Sequence, residues 1–147
     1  MKLYFDTCCY NRPQDDQSQV RIRRESEAVM NIRKQAKQYG FAVLGSVTLE
    51  KEIGRISDAK KLANVLALYR ETVTEPATYK KDVFESLSKQ ARRAGVRGFD
   101  VFHLCYSASS EAAYLLTVDD RFLAAASGLG ISVKVINPVN FPFGGAV

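Results

Sequence analysis

The sequence predicts an α/β domain whose mainly parallel sheet is covered by helices on both faces. Three observations predict it. Short apolar runs recur at Leu3–Phe5, Phe41–Leu44, Ala113–Thr117 and Ile131–Ile136, each bounded by glycine, acidic or polar residues. Segments with helical apolar spacing separate them. The alternation continues without an internal repeat, low-complexity tract or linker, so one domain is expected over residues 1–147. Strands joined by helices rather than tight turns run parallel, and a parallel sheet buries both faces.

Taken in order, Lys2–Phe5 is the first strand and Asp6 ends it. An acid directly after a core strand is costly to bury unless something charged meets it. Thr7–Pro13 and the polar QDDQSQ read as a loop. Val20, Val29, Ile32 and Ala36 predict an amphipathic helix over residues 17–39, closed by Gly40. Phe41 to Val47 is the second strand. Ser46 or Thr48 then caps a helix holding Leu49, Glu50, Glu52, Ile53 and Ile56. Ser57-Asp58 restarts a helix with Leu62, Val65, Leu66 and Tyr69 on its apolar stripe. Glu71–Glu75 reads as a short edge strand ended by Pro76, and Thr78–Ala94 as a helix burying Val83, Phe84, Leu87 and Ala91. After Gly95 and Gly98, Phe99–Ser110 is helical with Asp100 in its first turn. Ala113–Thr117 is a strand, Asp119-Asp120 opens a short helix with Phe122, Leu123 and Ala126, and Ile131–Ile136 is the last strand. The tail NPVNFPFGGAV follows neither period and is expected to lie extended over the surface.

Composition narrows the class. A hydrophobic fraction of 46% excludes a disordered chain. No apolar run approaches a membrane span, and the short apolar N-terminal segment runs straight into an acid, so no membrane partner and a cytoplasmic location are expected. Three cysteines, two of them adjacent, are a poor disulfide framework; one histidine and no CxxC argue against a zinc site. A net charge of +5 mildly favours a polyanionic partner.

The acids suggest a chemistry. Ligands of open parallel sheets bind beyond the carboxyl ends of the strands. Asp6 follows the first strand, Asp119 follows the Ala113–Thr117 strand, Glu50 and Glu52 open the helix after the second strand, and Asp100 opens a helix leading into Ala113. Each has a purely structural reading as a turn or helix-start residue. Together they would crowd one rim, where carboxylates repel unless a divalent cation neutralises them. Oxygen-only ligation suits Mg²⁺ or Mn²⁺, ions that promote phosphodiester cleavage.

The pieces YFDT (4–7), SVTLEKEI (46–53), DVFHL (100–104), LLTVDDRFL (115–123) and INPVNF (136–141) occur in the order found in PIN-domain ribonucleases, and the chain resembles that family, which includes the VapC-type toxins. The resemblance implies a three-layer α/β/α fold and a metal-dependent endoribonuclease leaving 5′-phosphate and 3′-hydroxyl ends. It implies Asp6, Glu52, Asp100 and Asp119 as catalytic and metal-binding residues, with Mg²⁺ or Mn²⁺ as the cofactor. Glu52 is preferred over Glu50 because it lies three residues after Leu49 and four before Ile56. Asp119 has the family's T-x-D spacing from Thr117, with Asp120 either assisting or solvated. The implied partners are RNA, an antitoxin protein and a second copy of the chain. The alternative is a PIN-like module that binds RNA or protein without cleaving. Cys8 departs from the Asn or Ser of many relatives. Arg12, Arg21 and Arg24 are candidate RNA contacts; Tyr10 is expected to pack in the core or the loop rather than stack on a base, and His103 to pack or hydrogen-bond near its helix start.

Overall fold

Lys2–Phe5 forms β1, and Leu3, Tyr4 and Phe5 are fully buried in the computed structural model, which describes residues 1–143. The expected loop after it is instead a short helix, α1 (Thr7–Asn11), followed by a 3-10 turn at Arg12–Gln14. Asp6 causes this difference. Its extended backbone and its Oδ1, which accepts the Thr7 N–H at 2.7 Å, start a helical turn that buries Cys9 and Tyr10. Helix α2 runs over Val20–Tyr39, and Gly40 closes it in the left-handed region at φ 70°.

Strand β2 is Ala42–Gly45, and α3 (Val47–Gly54) starts where Ser46 Oγ accepts the Leu49 N–H at 3.1 Å. Asp58 caps α4 (Ala59–Thr72) by accepting the Lys61 N–H at 2.7 Å. The edge strand expected at 71–75 lies later: α4 continues to Thr72 and β3 is Glu75–Pro76. Pro76 sits within it because the ladder uses the N–H groups of Thr74 and Ala77, bonded to Val43 and Gly45 at 2.9 and 2.7 Å. A proline on an edge strand therefore leaves no bond unmade. Then come α5 (Lys81–Arg93), α6 (Phe99–Ser109), β4 (Tyr114–Leu116), α7 (Asp120–Ala126) and β5 (Lys134–Ile136).

The expected extended tail coils into a 3-10 turn at Pro138–Asn140, and Phe141 is buried with its ring 5.2 Å from that of Tyr114. The apolar ring, rather than the polar residues around it, decides where this segment lies. The tail's last four residues, 144–147, lie outside the described residues.

All five strands are parallel, in the order β3-β2-β1-β4-β5. The chain steps outward from β1 to β3 and then returns to lay β4 against the other side of β1. Successive β1 side chains serve opposite faces: Phe5 packs on Tyr10 of α1, while Tyr4 reaches His103 of α6. The result is the three-layer α/β/α arrangement. Its strand order reverses beside β1, so the carboxyl ends of β1 and β4 flank the crevice where such sheets bind ligands. No helix among the described residues is long and apolar enough to cross a membrane.

Candidate metal centre

Asp6 is fixed at that crevice by its backbone. Its N–H continues the ladder to the Leu116 carbonyl at 2.8 Å, so the side chain leaves between β1 and β4. The residue is 4% exposed. Beyond the Thr7 N–H on Oδ1, its Oδ2 accepts the Thr117 hydroxyl at 2.7 Å and the Cys8 thiol at 3.3 Å. Cys8 thus supplies a donor to the aspartate.

Glu52 reaches the same place from α3. Its Oε1 accepts the Thr7 hydroxyl at 2.9 Å and is hydrogen-bonded to His103 Nε2. Glu50, two residues earlier on α3 and on its other side, is exposed and lines a different groove with Tyr69 and Pro76. Asp100 enters from the first turn of α6 and is half-buried. Asp6, Asp100 and His103 each place one donor atom within 4.8 Å of the others. Asp119 stands at the rim, exposed, with Oδ1 accepting the Arg121 and Phe122 N–H groups at 2.9 and 3.3 Å, the cap of α7. Asp120 is turned away and paired with Arg21 at 2.8 Å.

The notch is electrostatically crowded. Burial, then the charge of Asp6, push the Asp100 carboxyl up to about 7; His103 opposes this, and Asp119 and Glu52 add to it. Burial also works against a charged Glu52, yet the hydrogen bond and charge of His103, with smaller help from Thr7 and Arg55, hold it below the usual carboxylate range. Burial works against a charged His103, but its bond to Glu52 and the charges of Asp6, Glu52 and Asp100 raise it above an ordinary imidazole.

His103 is the residue the sequence reading left outside the site. It hydrogen-bonds, as expected, but does so inside the acid cluster and with no solvent exposure. The available signal was its spacing: three residues after Asp100 on one helix, the two share a face. Arg12 and Arg21, read as candidate RNA contacts, carry ion pairs within the chain. Arg12 pairs with Asp15 and Glu25 at 2.8 and 3.0 Å, and Arg21 with Glu25 and Asp120 at 3.2 and 2.8 Å. Arg24 is exposed. Tyr10 is a core residue stacked edge-on against Tyr69.

No family model matches the chain, and no curated protein matches it in sequence. Solved structures match its fold. One is VapBC2 from Rickettsia felis bound to a DNA fragment from their promoter, with a TM-score of 0.64 at 12% identity over 93% of this chain and 98% of that one. Another is FitAcB from Neisseria gonorrhoeae, with a TM-score of 0.57 at 16% identity over 94% and 99% of the two chains. The fold is therefore PIN-like, of the VapC type that the sequence motifs resemble.

Proposed function

We propose that the chain is a divalent-metal-dependent endoribonuclease, with Asp6, Glu52, Asp100 and Asp119 as its metal-binding and catalytic acids. The observation that carries this reading is the meeting of Asp6, Glu52 and Asp100, from three distant segments, in one notch at the carboxyl ends of β1 and β4. Carboxylates crowded in this way are relieved by a bound cation. The donor set fits Mg²⁺ or Mn²⁺, since Asp6 Oδ1, with the Thr7 N–H as its hydrogen-bond donor among the described residues, retains a lone pair for an ion. Such an ion, when bound, neutralises phosphodiester charge and makes a water acidic enough to attack.

The remaining groups prepare this arrangement. Thr117 and Cys8 hold one oxygen of Asp6, and Thr7 binds both Asp6, through its N–H, and Glu52, through its hydroxyl. Carboxylates held in this way lose little orientational freedom when an ion arrives. Asp119, at the open rim, faces the side from which a strand of RNA would approach. The likeness to VapBC2 and FitAcB supports an antitoxin protein as partner; on this reading the chain is a toxin that cuts RNA in the cytoplasm, as a homodimer.

The test is direct. Purified protein with Mg²⁺ or Mn²⁺ is expected to cut RNA, leaving 5′-phosphate ends, and chelator is expected to stop it. Asp6→Asn keeps the size of the side chain and is expected to abolish cleavage. Equal cutting by that variant would assign the activity to a contaminant.

A further inference from the structure

The notch contains a nitrogen that an oxygen-only site does not need. His103 is fully buried, and its Nε2 lies 3.5 Å from Asp6 Oδ1 while bonding Glu52 Oε1. The other ring nitrogen, Nδ1, is 2.5 Å from Tyr4 Oη, which is 2.7 Å from Ser46 Oγ. In the metal-free protein Nε2–H is placed to donate to Glu52 Oε1, with the Tyr4 hydroxyl donating to Nδ1 and Ser46 to Tyr4. Hydroxyl hydrogens rotate, so the relay can reverse, giving Nδ1–H to Tyr4 and freeing the Nε2 lone pair when a metal ion takes the place of that proton. Nε2 therefore stands where one positive charge, a proton or a metal ion, is needed among carboxylate oxygens. Metal-ligating histidines are oriented by this device, with the far N–H given to a fixed partner.

We propose that His103 is itself a metal ligand, its Nε2 joining Asp6 and Asp100 in a mixed nitrogen–oxygen centre. This rests on the nuclease reading for the reason the centre exists, and adds a ligand and a metal preference to it. Imidazole favours transition ions, whereas Mg²⁺ is best served by oxygens alone, so His103 tilts the site toward Mn²⁺ and its heavier neighbours. Tyr4 acts as a positioning residue, through the ring it holds.

The chain has a single histidine, so growth on ¹⁵N-histidine labels one side chain in the untagged, full-length protein. Pulsed electron paramagnetic resonance of the Mn²⁺-loaded protein is expected to show nitrogen hyperfine coupling that changes from ¹⁴N to ¹⁵N on labelling. Because this measurement needs no variant, it stands even if a buried substitution unfolds the chain. His103→Gln and Tyr4→Phe are expected to weaken Mn²⁺ binding by about tenfold or more, and Mg²⁺ binding by less. Mn²⁺ bound without histidine coupling would overturn the proposal and leave a carboxylate-only nuclease standing. Failure of the wild type to bind Mn²⁺ would also overturn it, and the RNA-cleavage assay in the same buffer then shows whether the nuclease reading falls with it.

Discussion

Asp100 carries much of the electrostatic strain in the notch. Its folded value near 7 stands well above the ordinary 3.8, so the metal-free folded chain holds a proton that the unfolded chain releases. That contribution to stability is complete below the unfolded value and is lost as pH rises through the folded one. His103, raised above 6.5, acts in the same direction at higher pH, while Glu52, lowered below 4.5, contributes above its unfolded value and loses it as pH falls. Metal-free protein is therefore expected to melt at progressively lower temperature as pH rises from the unfolded Asp100 value of 3.8 through about 7. Asp100→Asn should flatten that decline. An equally steep decline in the variant, followed by circular dichroism in chelator, would contradict the assignment. Asp119 allows capping to be separated from chemistry, because Asn caps a helix as well as Asp does. Asp119→Asn is expected to leave the melting temperature nearly unchanged yet to slow metal-dependent RNA cleavage by about tenfold or more. At this scale Asp6 and Asp119 stand out in the sequence because each lies just past an apolar run, whereas Glu52 and Asp100 sit within helical segments. The choice of Glu52's position over Glu50's rested on helical phase, and the inward place of His103 was visible only as a three-residue spacing.

Elements were legible in proportion to their length. Helix α2, with twenty residues and a glycine stop, shows its period plainly, and the Ser46 and Asp58 caps announce α3 and α4. Helix α1, with five residues, and β3, with two, are too short to display a period. What places β3 is the backbone of β2, and what makes α1 a helix is the cap from Asp6. Gly45 shows how closely two elements depend on one another. A Cβ at this position would stand 2.7 Å from both Tyr69 Oη and Val73 Cγ1, inside contact distance. Gly45→Ala is expected to push the end of α4 off β2 and to cost about 1–3 kcal/mol, measured by urea unfolding. A neutral result would mean that Tyr69 and Val73 yield without penalty.

Across the whole molecule, the reversal of strand order beside β1 brings residues nearly a hundred positions apart to one crevice, and a bound ion would join them. Linkage makes this measurable: Mn²⁺ at a hundredfold excess over its dissociation constant should add about 2.7 kcal/mol to stability. The same addition to Asp6→Asn should raise the melting temperature little. An equal rise in both proteins would place the ion elsewhere.

Local patterning alone determined that the chain alternates strand and helix, that its sheet is mainly parallel, and that Asp6 and Asp119 follow strand ends. Periodicity and capping are written in neighbouring residues, so they can be read without a fold. Only the tertiary structure decided that Arg12 and Arg21 are spent on Glu25 and Asp120, that Phe141 is buried on Tyr114, and that an imidazole sits among the carboxylates. Those pairings join segments distant in sequence, and which partner a side chain meets there depends on where the sheet has carried it.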